Sequence, residues 1–353
     1  MGSSTHVSWF ADIGLNDRPY VGGKGGSLGE LQRAGIAVPP GFVVRTEAFE
    51  RVLAALEHES AIRTRVESSN PEDLEGITTC SRSIRFRLEQ ADLPTDVLEE
   101  LSAAHAMLCR SVAAAGVVAV AVRSSATTED ASDASFAGLQ DTYLWVREPE
   151  EVLRKVRSCW ASLYSVESIS YRRRRGFPEA GVAMAVVVQS MVDPRSAGVM
   201  FTRSPTTGDR SVVTIEGAWG LGSAVVGGEV TPDRWVLGKV TGEISVREIS
   251  DKLIKHVAAA AGGTEAVPLE EALRRVPCLT DDELQALRIV ARKVEKHYGH
   301  AQDIEWAVDR YTGEILLLQS RPETVWSAKD AAPLARAAQN PLSHVMSIFG
   351  GRR

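Results

Sequence analysis

Residues 117–122 form an apolar run rich in β-branched side chains, which gives way without transition to Arg123-Ser124-Ser125-Ala126-Thr127-Thr128-Glu129-Asp130. Such a run reads as a buried strand, and polar residues gathered where a buried strand ends mark a candidate site. A buried strand needs a core around it. The chain's 353 residues, 44% hydrophobic and 24% charged, are enough for a sizeable core, in two or more lobes. That composition excludes a disordered or fibrous protein. With 40 Lys plus Arg against 46 Asp plus Glu the net charge is −6. No global positive field therefore exists to hold a nucleic-acid backbone or an anionic membrane, and any anion must be bound locally. Neither nucleic acid nor membrane is an expected partner.

Cys80, Cys109, Cys159 and Cys278 lie far apart and show none of the C-x-x-C spacing of a metal site or redox pair, so they read as reduced thiols. The N-terminal residues lack the basic start and apolar run of a signal peptide, and no stretch approaches about 18 consecutive apolar residues. The expectation is a soluble, cytoplasmic protein.

Punctuation and periodicity give a mixed chain. Residues 21–29 are glycine-dense and feed a helix that opens with Ser27 and Glu30 in capping-box spacing and stops at Gly35. After the turn at Pro39-Pro40-Gly41, residues 42–44 read as a strand, and Thr46 can cap the helix that follows. Residues 58–116 are mainly helical. Strands are expected at 141–146, 183–188 and 198–202, with a helix at 149–165 and a turn at Asp193-Pro194. A β-rich, glycine-rich stretch covers 212–246 and leads to a helix-rich insertion. Leu284, Leu287, Ala291 and Val294 mark an amphipathic helix from Asp281 to about Gly299. Residues 303–308 and 314–319 read as a hairpin. The expected organisation is a first lobe over 1–185, a second over 186–326, and a tail or linker over 327–353.

Three constellations carry chemistry. In Gly22-Gly23-Lys24-Gly25-Gly26-Ser27 the glycines let backbone amides approach an anion, and Lys24 would neutralise phosphate. A flexible turn with a solvated lysine is the equal alternative. It is not a Walker A loop, because Lys24 precedes its Ser by three positions. Arg123, with Ser124, Ser125, Thr127 and Thr128 beside it, can grip phosphate through two parallel hydrogen bonds or simply pair with Glu129 or Asp130. The loop from Phe136 to Thr142 would be a flap over the same anion, or a plain surface loop. In the last hairpin, alternation places Asp303 and Glu305 on one face and Ile304 and Trp306 on the other. Gln319 and Arg321 share a face opposite in sense to Leu318 and Ser320. Two carboxylates and an amide oxygen suit Mg²⁺ together with nucleotide phosphate oxygens, and a surface salt-bridge ladder is the alternative. Gln189 and Met191 follow a hydrophobic strand, where backbone groups could read an adenine edge or merely leave the core. The seven histidines show no metal spacing and read as structural or solvated.

Six ordered blocks carry a resemblance. They are Val21-Gly22-Gly23-Lys24-Gly25-Gly26-Ser27-Leu28-Gly29-Glu30, Val122 to Asp130, Ser135 to Tyr143, Trp219-Gly220-Leu221-Gly222, Asp303-Ile304-Glu305-Trp306 and Gln319-Ser320-Arg321-Pro322-Glu323. Together, from about residue 14 to residue 326, they resemble the nucleotide-binding domain of phosphoenolpyruvate synthase and pyruvate phosphate dikinase. The resemblance implies an α+β, ATP-grasp fold with ATP held between two lobes. It implies ATP contacts and catalytic roles for Lys24, Arg123 and Arg321, and flap contacts from Gly138, Gln140 and Thr142. It also implies adenine recognition around Gln189 and Met191, and Mg²⁺ ligation by Glu305 and Gln319, with Asp303 beside them. Two positions depart from the pattern: Gly25-Gly26 stands where relatives often carry bulkier residues, and Ser223 where they often carry Glu.

The implied activity is that of an ATP-dependent, AMP-forming phosphotransferase component. It uses Mg·ATP to phosphorylate a histidine on a separate phosphohistidine-domain protein, which passes the group to a small acceptor such as pyruvate, a phenol or another hydroxyl compound. The arrangement is similar to phenylphosphate synthase, whose ATP-binding and phosphohistidine parts resemble separate subunits, whereas rifampin phosphotransferase is a relative with all parts in one chain. His344, in the tail, is a weak phosphate acceptor candidate. A non-catalytic ATP-responsive regulatory subunit and an ATP-grasp carboxylate ligase are the alternatives.

Overall fold

The computed structural model describes residues 6–112, 119–127, 130–131, 134–135 and 141–327. The chain begins with β1 (Val7–Trp9), α1 (Arg18–Arg33), β2 (Gly41–Val44) and four helices, α2 (Thr46–Ser60), α3 (Ile62–Ser68), α4 (Leu74–Gln90) and α5 (Thr95–Val112). Then come β3 (Val120–Ala126), the two-residue strands β4 (Asp130–Ala131) and β5 (Ala134–Ser135), β6 (Thr142–Val146), α6 (Pro149–Ser162), α7 (Val166–Arg175) and β7 (Met184–Ser190). The remainder comprises β8 (Pro194–Phe201), β9 (Val212–Trp219), α8 (Ser223–Val226), β10 (Asp233–Gly238), β11 (Ile244–Glu248), β12 (Ile254–Ala258) and β13 (Thr264–Pro268). It closes with α9 (Glu271–Arg274), α10 (Asp281–Tyr298), β14 (Gln302–Asp309) and β15 (Ile315–Pro322).

Two antiparallel sheets organise this mixture of helix and strand. The first has the order β1-β2-β7-β3-β6 and the second β11-β10-β9-β8-β14-β15. Strand β7 runs through the middle of the first sheet and is buried on both faces. Val186 and Val188 join Phe42, Val44, Phe49 and Trp160 in the core under α2 to α6, while Ala185 and Val187 join Val43, Phe10, Val21 and Leu28 under α1. Each large side chain buried there contributes about 1.5–3 kcal/mol of hydrophobic transfer. The lobe boundary expected at 185/186 falls inside β7, and the chain passes to the second sheet over residues 191–193.

The buried strand does not stop at Val122. β3 continues through Arg123, Ser124 and Ser125 to Ala126, and all seven of its residues are buried. Polar residues can extend it because their hydroxyls are satisfied by backbone: Ser124 donates to Asp141 O at 3.0 Å and Ser125 to Val21 O at 2.8 Å. Ser125 Oγ also accepts from Gly25 N at 3.1 Å, which ties the glycine segment to β3. That segment is itself helical. α1 starts at Arg18 and is broken only at Gly22, whose φ is +69°. Ser27 and Glu30 consequently lie inside the helix, and the capping box expected of them is absent. A side chain at Gly22 would meet Ser125 O at 2.0 Å. Gly22→Ala is therefore expected to destabilise the fold by about 3 kcal/mol or more, from the left-handed φ and the clash together, measurable by urea unfolding.

In the second sheet, Ile304, Trp306, Met200, Ile215 and Trp235 pack against Leu284, Leu287, Ala291 and Val294 of α10. The helix begins with a capping box between Thr280 and Glu283 and ends at Gly299, φ +75°. The opposite face carries Val192, Ala197, Ala307, Leu316 and Leu318. The helix-rich insertion expected after β11 is instead the β12–β13 hairpin followed by the four-residue α9. Residues 258–261 are four alanines, which favour helix, but Gly262 and Gly263 take φ of +91° and +77° and turn the chain back on itself. α1 links the two sheets, since its end places Leu31, with Ile36 after it, in the α10 core.

All four cysteines are unpaired, and three are buried. No helix among the described residues is long and apolar enough to cross a membrane. His344 and residues 328–353 of the expected tail lie outside the described residues, as do Gly138 and Gln140 of the expected flap.

Candidate active site

The open face of the second sheet and the β3–β6–β7 part of the first enclose a cavity of about 1600 Å³. Lys24, Arg123, Thr142, Gln189, Met191, Asp303, Glu305, Gln319 and Arg321 all line it. These residues come from α1, β3, β6, the β7 end and the β14–β15 hairpin, brought together from positions almost 300 apart in the sequence.

One hydroxyl chain fixes the glycine segment against the hairpin. Ser27 Oγ donates to Ser320 O at 2.6 Å, and Ser320 Oγ donates to Gln302 Oε1 at 2.7 Å. Glu30, the other half of the expected capping box, accepts from Leu15 N at 3.3 Å and stands 2.6 Å from His297 Nε2.

Arg123 is 7% exposed and joins the two sheets. Its guanidinium donates to Leu318 O at 2.8 Å and to Gln319 Oε1, and lies 3.5 Å from Glu305 Oε2. Glu129 and the Asp130 side chain, the alternative partners, lie outside the described residues. Leu318 is available because β15 carries a bulge: Glu305 pairs with Gln319 but Trp306 with Leu317, leaving Leu318 as the extra residue. The bulge also corrects the expected alternation, since Leu318 lines the cavity beside Gln319. Ile304 and Trp306 are buried in the α10 core, and Asp303 and Glu305 line the cavity.

Asp303 faces Arg321 in the ladder, with Arg321 Nε 3.5 Å from its carboxylate. Burial pushes the Asp303 carboxyl up to about 6, Arg321 opposes the shift, and Glu323 adds to it. The unfolded chain releases this proton near 3.8, so the folded state binds more protons between pH 4 and 6 and stability falls as pH rises through that window. Asp303→Asn is expected to match wild type in urea unfolding at pH 4 and to exceed it by about 2 kcal/mol at pH 7.5, the shift being discounted for partial exposure. Equal stability of the two proteins at pH 7.5 would contradict this.

The cavity is graded. At one end Met191, Leu144 and Leu221 belong to an apolar cluster with Ala119 and Trp145. Four residues on from Ala119, about 13 Å at the rise of a strand, stands Arg123 with the charged hairpin. Gln189 and Met191 are placed at this wall, but their polar groups are already engaged. Gln189 is 3% exposed, donates to Pro39 O at 3.2 Å and accepts from Arg123 at 3.5 Å. Met191 N donates to Ala119 O at 2.9 Å. Met191 can offer a ligand apolar contact; its amide cannot also read a base edge.

Lys155, Tyr171 and Arg175 also line the cavity and were not singled out by sequence. Lys155 Nζ stands 4.3 Å above the Tyr143 ring and Arg175 is 5.8 Å from the Tyr171 ring. A lysine and an arginine on amphipathic helices look like any solvated pair, so no local signal marks them.

The oxygen donors of the hairpin suit a hard cation that keeps nucleotide oxygens in its shell, which needs only one or two carboxylates from the protein. Among the described residues no cluster of three or more His, Cys, Asp or Glu forms a self-sufficient metal cage. Glu305 and Gln319 stand paired on the cavity face, each held by Arg123.

The profile of the pyruvate phosphate dikinase AMP/ATP-binding domain matches residues 18–340, and the chain belongs to that family. It is 44% identical over 315 residues to a rifampicin phosphotransferase from Streptomyces sp, covering 89% of this chain and 35% of the relative. It is 42% identical over 321 residues to a probable phosphoenolpyruvate synthase from Archaeoglobus fulgidus, covering 90% and 41%. The chain thus spans less than half the length of these curated relatives. Among solved structures, D-alanyl-alanine synthetase A from Vibrio cholerae aligns with a TM-score of 0.25 at 13% identity, over 69% of this chain and 54% of that one, a likeness too slight to argue from.

Proposed function

We propose that this chain is an ATP-using phosphotransferase component, in which the two sheets are the lobes of an ATP-grasp fold and Mg·ATP lies in the cavity between them. The observation that carries this reading is the grading of one cavity from an apolar end to an end where Lys24, Arg123 and Arg321 meet Asp303, Glu305 and Gln319. A flat apolar base followed by a string of phosphates has the same polarity along its length. Lys24, Arg123 and Arg321 would offset phosphate charge, and Thr142 would lie over the phosphates with the flap residues Gly138 and Gln140. Glu305 and Gln319, with Asp303 beside them, would hold Mg²⁺, whose charge would offset that of the phosphates during transfer. Before nucleotide binds, Arg123 neutralises Glu305; with nucleotide present it would turn part of its fork to phosphate.

Among the described residues no histidine lines the cavity. This favours a phosphoryl acceptor histidine on a separate phosphohistidine-domain protein, with pyruvate, a phenol or another hydroxyl compound as final acceptor. Calorimetric titration tests the first step: one Mg·ATP per chain is expected, with binding weakened when magnesium is chelated. Absence of binding would defeat the reading. A regulatory subunit would bind ATP without consuming it when a phosphohistidine domain is supplied, and a carboxylate ligase would form ADP with an amide or thioester.

A further inference from the structure

The bend after β9 carries a hydrogen-bonded group that the roles above leave unused. Ser223 opens α8 and lines the cavity. Its hydroxyl lies 2.9 Å from Nδ1 of His256, a β12 residue only 8% exposed. On the other side of the ring a Glu229 carboxylate oxygen stands 3.3 Å from Nε2. Backbone contacts tie the bend to the hairpin. Leu221 N donates to His256 O at 3.0 Å, and Gly220 bridges to His256 so closely that a Cβ there would meet His256 O at 2.5 Å.

A carboxylate beside Nε2 favours the imidazole proton on that nitrogen, which leaves Nδ1 as a bare acceptor. The Ser223 hydroxyl then directs its single proton to Nδ1, and only its lone pairs remain for a ligand. A hydroxyl held this way reads an O–H or N–H donor. Its position says which part of a nucleotide it meets. Leu221 belongs to the apolar cluster with Met191 and Leu144. Gly222 packs on Ala197 and Gly198, a Cβ there lying 3.6 Å and 3.8 Å from them. Gly198 pairs with Trp306, and the next residue, Val199, pairs with Glu305. Ser223 therefore stands between the apolar end and the charged hairpin.

We propose that Ser223, oriented by His256 and Glu229, accepts a hydrogen bond from one sugar hydroxyl of the nucleotide and so selects for a sugar that carries it. The inference rests on the nucleotide reading above, because a base at the apolar end and phosphates among the charges leave the sugar between them. Ser223 is the specificity residue; His256 and Glu229 are positioning residues. The test is calorimetric titration of the full chain with the magnesium complexes of ATP, 2′-deoxy-ATP and 3′-deoxy-ATP. One of the two analogues is expected to bind about 5- to 10-fold more weakly than ATP, the effect of one lost hydrogen bond. Ser223→Ala is expected to lower ATP affinity to the level of that analogue and leave the analogue's own affinity unchanged. Glu229→Gln, at a side chain 53% exposed, is expected to keep the fold by circular dichroism and shrink the ATP-to-analogue ratio, which a loss of packing would not do. Equal affinities for ATP and both analogues in wild type, or an unchanged ratio in Ser223→Ala, would overturn the inference while ATP binding stands. No binding of ATP at all would overturn the nucleotide reading and this inference with it.

Discussion

Glu305→Ala and Gln319→Ala are each expected to abolish magnesium-dependent phosphoryl transfer while leaving the protein folded. Both side chains sit on the cavity face of the hairpin, and Glu305 is 33% exposed, so truncation opens no hole in the core. The packed face, Ile304 and Trp306 against α10, is untouched. On the proposed reading, what disappears is an oxygen donor for the cation; for Gln319 the acceptor that holds one arm of Arg123 goes as well. Loss of one preorganised electrostatic contact lowers turnover by about 10²–10³-fold, and losing a metal ligand as well takes the rate to background. Steady-state transfer assayed with magnesium and a phosphohistidine domain, beside circular dichroism, checks this. Wild-type transfer by either folded variant would remove the hairpin from the site.

Arg123→Ala has the other large expected effect, and it should appear in two measurements at once. In transfer kinetics the variant is expected to lose about 2–4 kcal/mol of transition-state stabilisation, as is Lys24→Ala. In urea unfolding Arg123→Ala is expected to lose a further 1–3 kcal/mol or so, because Leu318 O is left without the guanidinium that bridges the two sheets. Normal kinetics with ATP in both variants would put the phosphate site elsewhere.

Much of this site was legible because it lies on strands, where alternation has period 2 and a polar residue among apolar ones has few places to go. Alternation assigned Asp303 and Glu305 to one face of their strand and Gln319 and Arg321 to one face of its partner, and the structure puts all four on the cavity. The bulge at Leu318 could not be read, since one extra residue in a strand leaves no trace in composition. Nor could the full length of β3. Ser124 and Ser125 look like a strand end until their hydroxyls are seen bonded to Asp141 O and Val21 O. The insertion expected to be helix-rich is a hairpin, because Gly262 and Gly263, at φ +91° and +77°, turn the chain despite the helix propensity of the four alanines before them. Ser27 and Glu30 matched a capping box in spacing, yet tertiary partners, Ser320 and His297, claim both side chains. Lys155 and Arg175 became visible only when α6 and α7 were placed beside the cavity.

On the proposed reading this chain moves a phosphoryl group from ATP to a histidine on a separate protein; among the described residues no histidine lines the cavity. Incubating it with Mg·ATP labelled separately at the β and γ positions, with and without a phosphohistidine-domain protein, tests that claim most directly. The account predicts an acid-labile, β-labelled phosphoprotein on the partner with AMP as the nucleotide product, and only a trace of ATP hydrolysis when the partner is left out. Rapid transfer of label to a small molecule by this chain alone would contradict it.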